Sequence, residues 1–377
     1  MSISIREVKS NNDLKKFINF HYGLYKGNAY WVPPLLMDEY NALRAKKNPA
    51  FEFCDVKLWL AYRDKKIVGR IAGIINHRYI ETWGQKDARF GWIDFIDDAE
   101  VVSLLFAAVE DWAREQGMHH LHGPLGFTDF DAEGFLVEGY EELGTFGAGY
   151  NYPYYITHIE EMGYVKDVDY IEYQVKVGDE IPDKVKRLAQ VVAHRNHLHM
   201  LRVRKPKELL PYAHSVFEII NEAYAHLYGF VPLTLKQIDL YIKQYFGFIK
   251  PEYVPVVVDR DDRVVGFGIT MPSLSRAMQK NKGRLFPFGF LSILKAMKNN
   301  MYADLYLTAV RPEMQNKGVN AMLIYEINKV YLKNKIQYVE TNRELESNAK
   351  VQAQWRFYQA RQHKRRRIYK KSLINAD

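Results

Sequence analysis

Apolar positions change period several times along the chain, and each change marks an element. Asp304 to Val310 alternates and is rich in β-branched and aromatic residues, the pattern of a strand. Pro312 ends it, because proline has no N–H to give to a ladder. From Val319 the apolar residues Val319, Met322, Leu323, Ile327, Val330 and Tyr331 recur at three and four, which lines one face of a helix. Gln315-Asn316-Lys317-Gly318 therefore falls at a helix N-terminus. Unpaired N–H groups and the positive end of the helix dipole favour an anion there, and Lys317 adds a charge. Gly318 permits a backbone approach that a Cβ would block.

The same order of periods occurs twice. Ile3 to Val8 reads as a strand, and Asn12 to Tyr25 as a helix capped by Asn11 or Asn12, with Leu14, Phe17, Ile18 and Tyr22 on one face. Val56 to Tyr62 and Ile67 to Asn76 predict a hairpin, and Phe90 to Phe95 a further strand. Asp97 and Glu100 read as a capping box for a helix running to Gln116, closed by Gly117. A strand at His119 to Leu125, a short helix at Tyr154 to Met162 and a strand at Tyr170 to Val175 follow. The second half gives a helix from Asp183, a strand at Met200 to Val203 and a helix from Glu208 to His226. A hairpin at Val254 to Asp259 and Val264 to Thr270 leads to the strand, turn and helix above, then strands at Ile336 to Thr341 and Arg365 to Lys371. Two domains of a mixed α/β sheet are expected, residues 1–177 and 178–377, with a linker over 176–183.

Composition narrows the function classes. A chain of 377 residues that is 47% hydrophobic can bury two cores. One cysteine, Cys54, excludes an internal disulfide framework and suits a reducing compartment. No metal-ligand cluster stands out, and no stretch approaches the roughly 18 apolar residues of a membrane helix, so a cytoplasmic protein without a membrane partner is expected. The net charge of +8 is local. Residues 348–377 hold nine Lys or Arg against one Asp, leaving the preceding chain neutral. Such an end could attract nucleic acid or an acidic partner, or form a solvated basic strand, and the solvated strand is the simpler expectation.

A strand ending in V-x-P, followed by Gln/Arg-x-x-Gly-x-Gly/Ala and a helix, is the coenzyme A pyrophosphate motif of the GNAT acyltransferase superfamily, and Gln315 to Asn320 resembles it. The sixth position is Asn320 in place of glycine or alanine. The order of elements is also that of GNAT domains. Trp31 to Leu36 (WVPPLL), Val68 to Asn76 (VGRIAGIIN), Gly123 to Tyr140, Tyr150 to Tyr155 (YNYPYY) and Asn221 to Thr234 resemble bacterial tandem-GNAT proteins, which pair a divergent N-terminal copy with a C-terminal one. In the first copy Asp97-Asp98-Ala99-Glu100 stands where a phosphate loop would be, so carboxylates would repel phosphate and the copy is expected to lack coenzyme A binding.

What the resemblance implies is a CoA-dependent N-acyltransferase, with acetyl-CoA or another acyl-CoA as co-substrate and a small-molecule or peptide amine as acceptor. Backbone groups of Leu307, Thr308, Ala309 and Val310 would hold the pantetheine arm, and Gln315, Asn316, Lys317, Gly318, Val319 and Asn320 the pyrophosphate. Asn348 resembles the residue that contacts the cofactor arm. Glu340, Glu344 and Glu346 are the candidate bases and Tyr358 the candidate acid. Two other classes stay open: a non-catalytic acyl-CoA-binding or scaffold protein, and, less favoured, a nucleic-acid or acidic-partner binder through the basic end. Aromatic residues at Tyr150 to Tyr155 and Leu285 to Leu291 would either line an apolar cleft or pack a core.

Overall fold

Alternation along the strands decides the layering. In the computed structural model, which describes residues 2–374, the first six strands are β1 (Ile3–Glu7), β2 (Cys54–Arg63), β3 (Lys66–Asn76), β4 (Asp87–Phe95), β5 (His120–Gly123) and β6 (Phe135–Glu138). Leu58, Leu60 and Tyr62 of β2 join Leu14, Phe17 and Ile18 of the helix Asn11–Leu24 in one buried cluster. Trp59 and Ala61 join Val101, Leu105, Phe106 and Val109 of the helix Ala99–Glu115 in another. Side chains two apart share a face, so both faces of the sheet are covered by helix. The caps sit close to the expected places but on other residues. Ser10 caps the first helix, accepting from Asp13 N at 3.1 Å, and Asp98 caps the second, accepting from Glu100 N and Val101 N at 3.1 Å.

The remaining strands are β7 (Val165–Lys176), β8 (His199–Met200), β9 (Val256–Val258), β10 (Val264–Pro272), β11 (Tyr302–Val310), β12 (Tyr338–Thr341), β13 (Glu344–Leu345) and β14 (Gln359–Ser372). The chain divides into two units: residues up to Ile171 with Ser275–Ile293 and the chain from His363, and Glu172–Leu274 with Leu294–Gln362. In the first, β1 to β5 lie in chain order, β4 and β5 parallel and the other neighbours antiparallel, and β14 follows with Tyr369 opposite Gly123. In the second the order is β7-β12-β11-β10-β9-β8, with β11 and β12 parallel and the other pairs antiparallel.

A sequence boundary at 177/178 does not describe these units. The division falls inside β7 and inside β14, since the end of β7 ladders onto β12, with Val175 opposite Val339, and the end of β14 onto β5. Ser275–Ile293 belongs to the first unit. There the Gln279 amide donates to the carbonyls of Ala29 and Trp31 at 2.9 and 3.0 Å, and Leu36 N donates to Gly283 O at 2.9 Å. Such pairings join residues far apart in sequence and leave no local period behind.

The basic last strand is neither solvated nor an open cationic patch. Lys364 and Arg366 are buried, and Arg366 Nη2 donates to Gly149 O at 3.1 Å. Arg367 Nε and Arg365 Nη1 reach Asp169 at 2.8 and 3.0 Å, Lys370 reaches Asp87 at 2.7 Å and Lys371 reaches Glu110 at 2.9 Å. These four charges are paired inside the first unit, which weakens the case for nucleic acid. Burial alone would raise Asp169, but hydrogen bonds from Arg367, Lys166 and Arg365 outweigh it and hold its carboxyl at about 2. That lowered value stabilises the fold above the ordinary carboxylate pKa, near 4, and the contribution is lost as pH falls through about 2. Asp169→Ala, which leaves three cations facing a void, should cost about 3 kcal/mol or more by urea unfolding at pH 7. The gap to wild type should shrink as the pH is taken toward 2.

Candidate functional site

A β-bulge prepares strand β11. Against β10, Leu307 lies opposite Ile269 and Leu305 opposite Thr270, so Tyr306 is an extra residue. A bulge bends its strand and strengthens the local twist. On the other edge the parallel ladder with β12 runs from Tyr302 opposite Tyr338 to Leu305 opposite Thr341 and ends where the bulge begins. Beyond it, the carbonyls of Tyr306, Thr308 and Val310 accept from side chains: Asn342 Nδ2 at 2.7 Å, the Tyr224 hydroxyl at 3.0 Å and Gln315 Nε2 at 3.3 Å. Leu307 to Val310, the segment expected to hold a pantetheine arm, is thus a strand whose second edge has left its neighbour. Neither Tyr224 nor Asn342 was expected in this role, because a hydroxyl and an amide that reach across the fold carry no local pattern.

The turn after β11 has the expected form. Gly318 is the N-cap of the helix Val319–Lys333 at φ 83°, with no side-chain cap, and Asn316 also takes a positive φ of 60°. Gln315, Asn316, Lys317 and Asn320 are exposed and Val319 is buried. Gly318 has a steric reason within the fold as well: a Cβ there would stand 2.7 Å from Val192 Cγ2, so conformation and the packing of the helix Asp183–Asn196 both favour glycine. The arginine nearby is committed elsewhere: Arg311 is buried, grips Glu222 at 2.9 and 3.0 Å and donates from Nε to Val264 O at 2.7 Å. Lys317 is the cation of the exposed turn.

Among the candidate acid and base residues the structure distinguishes sharply. Glu340 accepts from Gln174 Nε2 at 2.8 Å, and Gln174 Oε1 in turn accepts from Arg361 at 3.1 Å. Glu346 is exposed, its carbonyl taking a bond from Gln352 at 3.0 Å. Glu344 Oε1 accepts from the Trp355 indole at 2.8 Å, while its buried Oε2 meets no donor among the described residues. Burial pushes this carboxyl up to about 7, against the lowering effect of the Trp355 bond. Asn348 caps the helix Ala349–Gln352, accepting from Val351 N at 3.4 Å, so its side chain is engaged in the fold. The Tyr358 hydroxyl accepts from Asn328 Nδ2 at 3.1 Å, and burial raises it to about 12. Trp355 connects the last two candidates, since it donates to Glu344 and its carbonyl accepts from Tyr358 N at 2.9 Å.

The first unit carries the same bulge, at Trp92 with φ 42°, opposite the step from Arg70 to Ala72. Its opening is filled. A Cβ on Gly91 would lie 2.4 Å from Leu125 O, and Leu125 N donates to Phe90 O at 2.8 Å. The helix N-terminus that would take a phosphate already holds Asp98, itself paired with Arg63 at 2.5 Å.

Two α/β units, each with a bulged strand splaying from a parallel neighbour, define a tandem GNAT-fold protein. Its fold matches a tandem GNAT protein from the clavulanic acid biosynthesis pathway over 100% of both chains, at a TM-score of 0.58 and 14% identity. It also matches the GCN5-related glucosamine N-acetyltransferase region of a fungal multi-domain GH3 β-N-acetylglucosaminidase over 98% of this chain and 38% of that one, with a TM-score of 0.58 and 13% identity. In sequence, protein YghO of Escherichia coli K12 is 28% identical over 376 residues, 98% of this chain and 95% of YghO. The bacterial ceramide synthase of Caulobacter vibrioides is 30% identical over 331 residues, 85% of this chain and 84% of the synthase. The chain belongs to the same family as that synthase. No protein-family model matches it.

The geometry at Gly318 gives a stability test. Gly318→Ala, which meets both a positive φ and Val192, should lower stability by about 1–3 kcal/mol in a denaturant titration. Lys317→Ala, at an exposed turn, should stay within about 0.5 kcal/mol of wild type.

Proposed function

We propose that this protein is an N-acyltransferase that moves an acyl group from an acyl-CoA to a primary amine, with the second unit as the working copy. The observation that carries the reading is β11, released from β12 at its bulge and running into a glycine-capped, lysine-bearing helix N-terminus. That arrangement suits an extended arm lying along a strand edge with its phosphates on the helix N–H groups. For the acceptor we propose a long-chain amino alcohol, and for the donor a long-chain acyl-CoA in place of the acetyl-CoA expected from sequence. The support is the 30% identical relative whose name is ceramide synthase, a ceramide being the amide of such an amine.

In the proposed reaction the amine nitrogen attacks the thioester carbonyl, the C–N bond forms, and the tetrahedral oxyanion collapses with cleavage of the C–S bond. Glu344 takes the proton of the attacking amine, directly or through water. Its free carboxylate oxygen can accept that proton, and its value near 7 lets it exist as base at neutral pH. Tyr358, which receives a hydrogen bond from Asn328 and so keeps its own proton to give, is the proposed donor to the leaving thiolate. Backbone of Leu307 to Val310 orients the arm, and Lys317 with Gln315 to Asn320 binds the pyrophosphate. Glu340 and Asn348, tied to Gln174 and to a helix cap, are proposed to maintain the surroundings of the site.

The test is to incubate the purified chain with acyl-CoAs of increasing length and a long-chain 2-amino-1,3-diol, and to follow amide by mass spectrometry and thiol release by absorbance. Amide formation that strengthens with chain length is the expected result. Retained acyl-CoA binding with no amide from any pair would instead select the non-catalytic binding protein. Glu344→Gln should reduce kcat by about 100-fold and abolish a rate limb that in wild type rises with pH through about 7. The stability effect has the opposite sign. Because the folded value is raised from 4.5 to about 7, burial of Glu344 costs stability progressively as pH rises between them, so the same variant should melt higher than wild type at pH 8. Lys317→Glu should raise KM for acyl-CoA by roughly tenfold with little change in kcat.

A further inference from the structure

The segment Ser275–Ile293 presents large apolar side chains to solvent from a well-anchored base. Phe286 and Phe288 are 75% and 72% exposed, and Leu291 and Phe290 are 53% and 41% exposed. The expectation that aromatic residues at Leu285 to Leu291 would line a cleft or pack a core does not hold for these three phenylalanines, whereas Tyr155, its counterpart in the other aromatic run, is fully buried. Their exposure is not that of a loose loop. Ala277, Met278 and Gly283 are buried beneath the segment, Gln279 and Gly283 bind the backbone of Ala29, Trp31 and Leu36, and Asn281 Nδ2 donates to Gly289 O at 2.8 Å. In the helix Gly289–Lys298, Ile293 and Met297 turn inward while Leu291, Leu294, Lys295 and Lys298 face out.

Charge identifies what covers such a surface. Arg276, Lys280, Lys282 and Arg284 are all exposed, and between Ser275 and Ile293 there is no Asp or Glu. A second copy of the same surface would bring like charges together around its apolar centre. Nucleic acid would suit the cations and could stack on the phenylalanines, but it offers nothing to Leu291. Anionic phospholipid matches every component: acyl boundary for the Phe and Leu side chains, phosphates for the Lys and Arg around them.

We propose that Arg276–Leu291 of the first unit is a docking surface for an anionic lipid bilayer, with Phe286, Phe288 and Leu291 entering the headgroup boundary. No helix among the described residues is long and apolar enough to cross a membrane, and none is needed. The absence of a spanning stretch led the sequence to suggest no membrane partner. An interfacial contact requires only a short apolar face with a basic border, and depends on no reading of the catalytic chemistry.

The experiment is flotation of the full chain with phosphatidylcholine vesicles, with and without phosphatidylglycerol, in the absence of any CoA compound. Wild type should float with the phosphatidylglycerol vesicles and not with phosphatidylcholine alone, and release as salt is raised. Phe286→Ser/Phe288→Ser should weaken binding by roughly tenfold or more with an unchanged circular dichroism spectrum and melting temperature, since neither ring is in a core. Lys280→Glu/Arg284→Glu should abolish the preference for the anionic vesicles. Failure of wild type to bind anionic vesicles at low salt overturns the proposal, as does binding that the phenylalanine pair does not affect. A monomer–dimer equilibrium in sedimentation velocity that the phenylalanine variant abolishes assigns the surface to a second copy instead, and salt-sensitive retention of nucleic acid lost in the same variant assigns it there. Acyl transfer measured on dissolved short-chain substrates proceeds without vesicles, so either conclusion can fail alone.

Discussion

Everything proposed for the second unit depends on one place where a hydrogen-bond ladder stops. Backbone N–H and C=O groups seek partners, so a strand inside a sheet ordinarily exposes neither edge. At Tyr306 one extra residue opposite β10 turns β11 away from β12, and the parallel ladder ends at Leu305. The carbonyls left behind are satisfied by Asn342, Tyr224 and Gln315, side chains that hold the opening in shape without closing it.

The first unit makes the same interruption and spends it on structure. Its bulge at Trp92 lies two residues before Asp94, which is buried and receives Arg70 Nη2 at 2.6 Å and the Tyr25 hydroxyl at 2.8 Å. Tyr155 joins the same group, its hydroxyl 3.0 Å from that of Tyr25 and accepting from Phe95 N at 3.1 Å. Burial raises the pKa of Asp94 while Arg70 opposes it, the balance of a buried pair with its neighbours hydrogen-bonded. With Asp98 seated on the helix N-terminus, the place equivalent to the Gly318 turn is filled by the protein's own carboxylate. One architecture thus supports an opening in one copy and a closed polar core in the other.

Much of this was legible in the residues. The strand, turn and helix around Gly318, the two long helices of the first unit, the two hairpins and the repetition of the whole order follow from period and punctuation, because side-chain direction is fixed locally by backbone geometry. Gly318 was correctly placed at a helix start, yet its steric partner Val192 comes from the helix Asp183–Asn196, and no periodicity names that contact. Of the carboxylates picked out beyond β12, local sequence could not rank Glu340, Glu344 and Glu346. The ranking comes from Gln174, which occupies the first, and from Trp355, which donates to one oxygen of the second while the other meets no donor among the described residues.

The basic end illustrates the same limit from the side of charge. Composition located nine cations in residues 348–377, but only the ladder of β14 onto β5 and the burial of Asp169, Asp87 and Glu110 show that several are neutralised. Exposed phenylalanines at 286 and 288 read as core or cleft in sequence for the converse reason: period reports how a side chain is directed, not what stands opposite it. Sequence by itself determined the fold class, the duplication and the strand, turn and helix around Gly318, all of which rest on interactions between residues near in the chain. Tertiary structure alone decided which strands complete each unit, which carboxylate keeps an open valence and which hydrophobic surface faces water, since each of these depends on partners that arrive from distant positions.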